Sequence, residues 1–226
     1  MYNYTVTIIC LASSRKTSGR CVAGRTINDY GLGEWIRPVS ARATGEVSLD
    51  ERRFQNGSEP SLLDIVKIPM QEPRPHAYQR ENHLIDDGYY WTLERRGSRD
   101  DALAAIDGQH LPLWSNGSSS YSGQNDRVSE DCADVNAGSL RLIAVNDLQI
   151  TTRVEGAEFG NGKRRVRGRF SHNGTPHLLS ITDPIIEAQY LALPDGQFNI
   201  GHAMLCVSLG DAYQGFAYKL IASVIP

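Results

Sequence analysis

The sequence lacks the marks of a secreted, membrane-spanning or zinc-binding protein. Its four cysteines, Cys10, Cys21, Cys132 and Cys206, lie far apart and include no C-x-x-C pair, which excludes a compact disulfide framework or a zinc knuckle. No apolar run approaches the roughly 18 residues of a membrane span. The N-terminal residues also lack the basic start and apolar core of a signal peptide. We therefore expect a cytoplasmic protein with reduced thiols and no membrane partner.

The common enzyme motifs are absent as well. The sequence contains no G-x-x-x-x-G-K-[ST] phosphate loop, no G-x-S-x-G nucleophile turn and no H-E-x-x-H helix. Its histidines occur singly, without the spacing of metal ligands. Asp64 and Lys67 are three positions apart on a predicted strand, so they project to opposite faces, unlike the acid and lysine of a metal-dependent nuclease. We expect no cofactor, no metal and no catalytic residue.

An overall positive charge is also missing, since the formal net charge is −3. Any polyanion site must therefore be a local patch. Residues 163–170 hold five cations, and strand alternation places Lys163, Arg165, Arg167 and Arg169 in one row, with neighbours roughly 6.6 Å apart. That spacing is close to the spacing of phosphates along a nucleic-acid strand and predicts phosphate binding. The alternative is an edge strand that carries charge to discourage aggregation.

Short β-branched and apolar runs, separated by Gly, Pro, Asn and Asp, predict strands along most of the chain. One strand is expected to end at Pro69, and two separate strands are expected at residues 139–145 and 149–155. Helices are expected to begin at Ser98 and at Asp183, which both suit the N-cap position. Residues 116–126 are polar and are interpreted as an exposed loop or an inter-domain connection.

The strand runs fall into two successive groups, without the regular strand and helix alternation of a parallel α/β sheet. The runs predict a mainly β protein of two lobes, and two consecutive OB-like five-stranded barrels with short helices are one architecture that fits them. The predicted barrels span residues 1–95 and 138–226, and a helix with a polar connecting insert spans 96–137. A pair of SH3-like barrels or a single sandwich would show the same periodicity.

Several short segments of the sequence distinguish among these architectures. They are Ser13-Ser14-Arg15-Lys16, residues 19–24, residues 35–40, Leu63-Asp64-Ile65-Val66, Gln79-Arg80-Glu81-Asn82, Ser208-Leu209-Gly210 and residues 218–222. This pattern resembles the dual OB-containing domain family from about residue 5 to the C-terminus. The resemblance implies two OB-folds and a role in binding nucleic acid or nucleotides in bacterial or phage systems. It supplies no catalytic residue to carry across.

Two further groups of residues complete the predicted site. Arg15, Lys16, Arg20 and Arg37 flank the first three strands and are predicted to form a compact phosphate pocket; scattered surface charge is the alternative. The other group could contact bases. In it, Trp35 and Tyr89 are predicted to stack on bases, and Gln79 and Asn82 to read a base edge. For that group the alternatives are core packing and strand-end hydrogen bonding.

These observations predict a non-enzymatic module that binds single-stranded nucleic acid or a nucleotide and serves a larger defence or DNA-processing system. A protein-interaction adaptor that grips a partner chain through sheet edges or barrel faces is the alternative. A metal-dependent hydrolase acting on nucleotides or nucleic acid is a weaker alternative.

Overall fold

The computed structural model of the protein describes residues 4–135 and 138–226. The chain divides into two compact units, Met1–Ala105 and Ile106–Pro226. Each unit is built around one sheet. No helix in the part of the chain that is described is long and apolar enough to cross a membrane.

The first unit is a closed barrel with additions. Its elements are β1 (Tyr4–Lys16), β2 (Gly19–Asn28), β3 (Gly31–Val39), α1 (Leu49–Arg52), β4 (Ile65–Pro73), β5 (Asn82–Ile85), β6 (Thr92–Arg95) and α2 (Arg99–Ala104). The strands pair in the order β1-β2-β3-β5-β4, and β4 pairs back with β1 to close the ring. β3 and β5 are parallel, and α1 lies between β3 and β4 in the chain. This is the Greek-key strand order of an OB-fold.

The barrel of the first unit closes because alternate residues of its strands are apolar. Ile8 of β1 and Val66, Ile68 and Met70 of β4 point inward and are fully buried. Trp91, in the connection before β6, joins the same core. Burying each of these side chains contributes roughly 1.5 to 3 kcal/mol.

The second unit repeats this order of strands. Its elements are β7 (Arg127–Ser129), α3 (Glu130–Val135), β8 (Leu140–Glu155), a 3-10 turn (Ala157–Phe159), β9 (Lys163–His172), β10 (Thr175–Ile181), α4 (Pro184–Leu191), β11 (Gly196–Tyr213) and β12 (Phe216–Ile225). The sheet order is β10-β9-β8-β11-β12-β7, with a parallel pairing between β10 and β12. Strands β8, β9, β10, β11 and β12 thus pair as β1 to β5 do, with α4 after the third of them.

Both predicted helix starts are confirmed. Ser98 accepts a hydrogen bond from the backbone N–H of Asp101, whose side chain caps in return. Asp183 accepts from the N–H groups of Ile185 and Ile186, and Pro184 takes the first helical position. Local capping chemistry is independent of distant packing, which is why the sequence alone suffices here.

Two strand boundaries differ from the prediction. β4 continues through Pro69, which stays in the ladder opposite Thr5 while its carbonyl accepts a hydrogen bond from the N–H of Asp86. The predicted strands 139–145 and 149–155 are one strand, β8, because the long partner β11 pairs with both parts. Irregularities of β11 on either side of Gly201 absorb the change in register, and Gly201 has a φ of +81° that favours glycine.

Candidate functional site

The cationic row, defined as Lys163, Arg165, Arg167 and Arg169, lies on one face of β9. The alternating residues Val166, Gly168 and Phe170 are buried, so the predicted alternation is confirmed. β9 is the second strand of its unit in the OB order. Because Val166, Gly168 and Phe170 face the core, the row stands on the outer face of the sheet.

The members of the row differ in their surroundings. Lys163 and Arg165 are exposed and make no ion pair or side-chain hydrogen bond with any other described residue. Arg169 is exposed and donates to Oε1 of Gln124 at 3.3 Å. These three cations are accessible to a ligand.

Arg167 is held within the protein. Its Nε and Nη2 donate to the two carboxylate oxygens of Glu155 at 2.7 and 2.9 Å, and Asp126 lies 4.0 Å from Nη1. Only 11% of the Arg167 side chain is exposed. Burial tends to raise the pKa of Glu155, but the hydrogen bonds and charge of Arg167 hold that pKa below its ordinary value.

A further arginine stands beside the row. Arg153 of β8 lies directly opposite Arg165 of β9, where like charges are unfavourable, and its Nε lies 3.3 Å from Oε1 of Glu155, which Arg167 also contacts. The first unit has the same arrangement, since Arg15 lies opposite Arg20 in the hairpin of β1 and β2. In both units an arginine pair spans the first two strands of the OB order. Arg153 could not be predicted from the sequence, because its proximity to Arg165 depends on the pairing register.

The polar segment 116–126 is part of the second unit and packs against its sheet. Gln124 pairs with Leu178 of β10 through two backbone hydrogen bonds of 3.2 and 2.9 Å. Asp126 is 97% buried and accepts from the N–H of Ser120 at 2.7 Å. The contacts of Gln124 and Asn125 with β10 could not be predicted from the sequence, because they join residues roughly 50 positions apart.

Two exposed aromatic rings lie near the start of the row. Tyr121 of the polar segment and Phe159 of the loop between β8 and β9 meet edge to face at 5.5 Å. They are 79% and 67% exposed. Sequence analysis did not single out either ring, since Tyr121 stands among serines and Phe159 within a turn.

A cavity of about 340 Å³ opens beside the other end of the row. The outward-facing side chains of three strands line it: Asp147 and Gln149 of β8, Arg169 and Ser171 of β9, and Asn199 of β11. Pro176 of β10 adds an apolar wall. Oδ1 of Asp147 accepts from the N–H of Ser171 at 3.1 Å, and Gln149 donates to Asn199 at 2.7 Å.

In the first unit, the predicted phosphate residues separate into two groups. Lys16 adjoins the Arg15 and Arg20 pair at the turn between β1 and β2. Arg37 lies elsewhere, opposite Asn82 of β5, and forms a buried ion pair with Glu81 at 3.3 Å. Arg37 thus has the surroundings of an internal charge pair.

The predicted base-contacting residues also differ in exposure. Trp35 is half-buried and carries the guanidinium of Arg25 at 6.0 Å from its ring centroid. Tyr89 is 42% exposed. Gln79 and Asn82 are buried and hydrogen-bonded to each other at 3.2 Å. The two rings are therefore accessible to different degrees, whereas the two amides lie inside the first unit.

In residues 4–135 and 138–226, side chains of His, Cys, Asp and Glu nowhere cluster in threes that could hold an ion.

The strand order and the buried core define a protein of OB-type β architecture. The model of the Dual OB-containing domain matches residues 6–224, and the chain therefore belongs to the dual OB-containing domain family. No curated protein matches it. A crystal structure of the tetrameric p202 HIN2 is 11% identical, with a TM-score of 0.31 over 100% of this chain and 94% of that one. A TM-score this low does not establish a shared fold.

Proposed function

We propose that the protein binds single-stranded nucleic acid or a nucleotide on the outer face of the second unit, which acts as a second OB-type barrel. OB-folds bind oligonucleotides on the face of their second and third strands and on the adjoining loops. β9 and β10 take those places in the pairing order. The observation that carries the proposal is the cationic row, with three accessible cations on the outer face of β9.

The electrostatics of the row favour an anionic ligand. Lys163 and Arg165 lie two positions apart on one face and repel each other, and Arg153 stands opposite Arg165 while its Nε lies 3.3 Å from Oε1 of Glu155. A phosphate chain that runs along β9 relieves this repulsion and releases counterions into solution. The planar guanidinium of each arginine can also donate two parallel hydrogen bonds to one phosphate.

Aromatic rings supply a sequence-independent contact for bases. Tyr121 and Phe159, near the Lys163 end of the row, are proposed to stack on bases that a single strand leaves exposed. Such stacking contributes about 1 to 3 kcal/mol for each base. A duplex hides these base faces, so the proposal favours single strands.

The first unit is proposed to add contacts of the same kind. Arg15, Lys16 and Arg20 stand on the hairpin that corresponds to that of β8 and β9. Trp35 and Tyr89 are candidates for stacking. The family resemblance is the ground for proposing service in a larger bacterial or phage defence or DNA-processing system.

The test is fluorescence anisotropy of a short labelled oligothymidylate with the full chain, at about 50 and about 200 mM salt. We expect binding that weakens with salt and that the triple variant K163Q/R165Q/R169Q weakens strongly. The matched control K67Q/R74Q/R80Q removes the same charge from exposed positions of the first unit. An affinity that does not change with salt concentration, or that falls equally in both triple variants, would contradict the proposal.

A protein-interaction adaptor is the second candidate, and the exposed rings of Tyr121 and Phe159 are the observation that favours it. It predicts association with a partner chain that is insensitive to salt and is lost in Y121A/F159A. The same double variant in the oligonucleotide assay separates the two roles. Loss of strand binding supports stacking, whereas unchanged strand binding assigns the rings to a protein partner.

A further inference from the structure

The cavity beside Arg169 differs in chemistry from the row that leads to it. The row is cationic, whereas the cavity has a carboxylate, two amides, a hydroxyl and a single guanidinium in its lining. Its volume of about 340 Å³ is at the lower end of the roughly 300 to 1,000 Å³ of small-molecule sites, and it is open to solvent on one side. A site of mixed donors and acceptors beside a phosphate-binding row suits the base of a nucleotide.

Asp147 excludes a phosphate as the occupant of this cavity. Its carboxylate makes no ion pair with any cation in residues 4–135 and 138–226, and its described hydrogen-bond donor is the N–H of Ser171. The charge therefore repels a phosphate, while the remaining lone pairs require N–H or O–H donors. A ligand group in contact with Asp147 must be a donor.

Arg169, in contrast, requires a hydrogen-bond acceptor in the same ligand. It uses one N–H toward Gln124, which leaves further donors of its planar fork for acceptors of the ligand. Among the bases, guanine presents the O6 and N7 acceptors that arginine binds bidentately. Its Watson–Crick edge places the N1–H and N2–H donors next to O6. Cytosine and adenine offer one amino group each, and thymine a single imino N–H.

We infer that the cavity binds a guanine base. Asp147 accepts from N1–H and N2–H, and Arg169 donates to O6 and N7. Pro176 lies against the base as an apolar wall. The inference rests on the proposed function, since Lys163 and Arg165 would hold the phosphates of a strand whose guanine Arg169 contacts, and Arg169 would meet a phosphate in a strand without guanine.

The test compares oligothymidylates that carry one central guanine, hypoxanthine or adenine, with the full chain and the same anisotropy assay. Hypoxanthine lacks only the N2 amino group of guanine. The wild-type protein is expected to bind the guanine strand about 5-fold or more tightly than the hypoxanthine strand, the lower limit for a good bidentate contact. Equal binding of these two strands would overturn the inference.

Asp147→Asn is the decisive variant, because an asparagine oxygen can still accept from Ser171 while the paired acceptor for guanine is lost. The variant is expected to bind the guanine and hypoxanthine strands equally, and the plain strand at least as tightly as the wild type does, because a carboxylate beside Arg169 is removed. The control Asp87→Asn, at an exposed position of the first unit, makes the same change of net charge and should keep the preference. A preference that persists in Asp147→Asn would overturn the inference.

The two proposals fail in different ways. Salt-dependent binding of plain oligothymidylate without a guanine preference refutes the guanine site and leaves the proposed function standing. If no strand binds, calorimetric titration with GMP and IMP decides the inference. Tighter binding of GMP, lost in Asp147→Asn, supports the site, and absence of GMP binding refutes it. This arm also distinguishes a free nucleotide from a base within a strand.

Discussion

Arg165→Gln and Arg167→Gln are expected to affect strand binding differently, although the two arginines stand in one row. Arg165 is exposed and has no ion pair within the described chain. Arg167 is 11% exposed and donates two hydrogen bonds to the carboxylate of Glu155. Because Glu155 already neutralises the charge of Arg167, this residue should neutralise little phosphate charge and release few counterions from the strand.

The magnitude follows from the number of accessible cations. Each phosphate contact of a single strand contributes about 0.7 to the slope of log affinity against log salt. Lys163, Arg165 and Arg169 together should contribute about 2, which is roughly a 20-fold loss of affinity between about 50 and about 200 mM salt. Arg165→Gln should reduce the slope by about 0.7, and Arg167→Gln should leave it unchanged.

The assay is anisotropy of labelled oligothymidylate over a series of salt concentrations, which gives the slope for each variant directly. Lys67→Gln is the control for net charge, since Lys67 is exposed on β4 of the first unit. Circular dichroism checks that each variant is folded at the assay temperature. A slope that falls equally in Arg165→Gln and Arg167→Gln would refute the assignment of Arg167 to an internal ion pair.

Three further predictions concern stability, measured by urea unfolding. Arg167→Gln removes both hydrogen bonds of Arg167 to Glu155, leaves that carboxylate its 3.3 Å contact with the half-exposed Arg153, and should cost about 2 kcal/mol; wild-type stability would contradict this. Burial, with a smaller effect of Lys219, lowers the pKa of His177 from 6.5 to about 4, so the unfolded chain binds this proton more readily and stability should fall by up to about 3 kcal/mol from pH 6.5 to 4. His177→Phe should reduce this fall in the free energy of unfolding. A fall as large as that of the wild type would contradict the prediction. Asp183→Ala removes the cap of α4 and an acceptor for the N–H of Val224 and should cost about 2 kcal/mol, whereas Asp183→Asn should cost less.

Much of the architecture could be predicted from local patterns. The alternation in residues 163–170 identified an outward row because one face of β9 is buried, and a period of two assigns each residue to one face. Ser98 and Asp183 could be predicted as helix starts because N-capping involves only near neighbours in the chain. The family resemblance was also readable from the sequence, and the match over residues 6–224 confirms it.

Pairing and register could not be predicted in this way. The continuity of β8 depends on the length of β11, and the course of β4 through Pro69 depends on contacts with Thr5 and Asp86. Strand propensity describes a residue's fit to a pleated surface and is silent about which strand lies beside it. The closing contact of the first barrel, between β1 and β4, is likewise a long-range pairing.

The candidate site likewise has features that the sequence determines and features that only the pairing of strands determines. The sequence by itself determined which side chains of β9 share a face, because covalent geometry makes strand residues alternate. Only the tertiary structure decided that Glu155 neutralises Arg167, that Arg153 stands opposite Arg165, and that Asp147 and Arg169 line one cavity. Each of these depends on the register between strands, which distant residues set through the core they bury together.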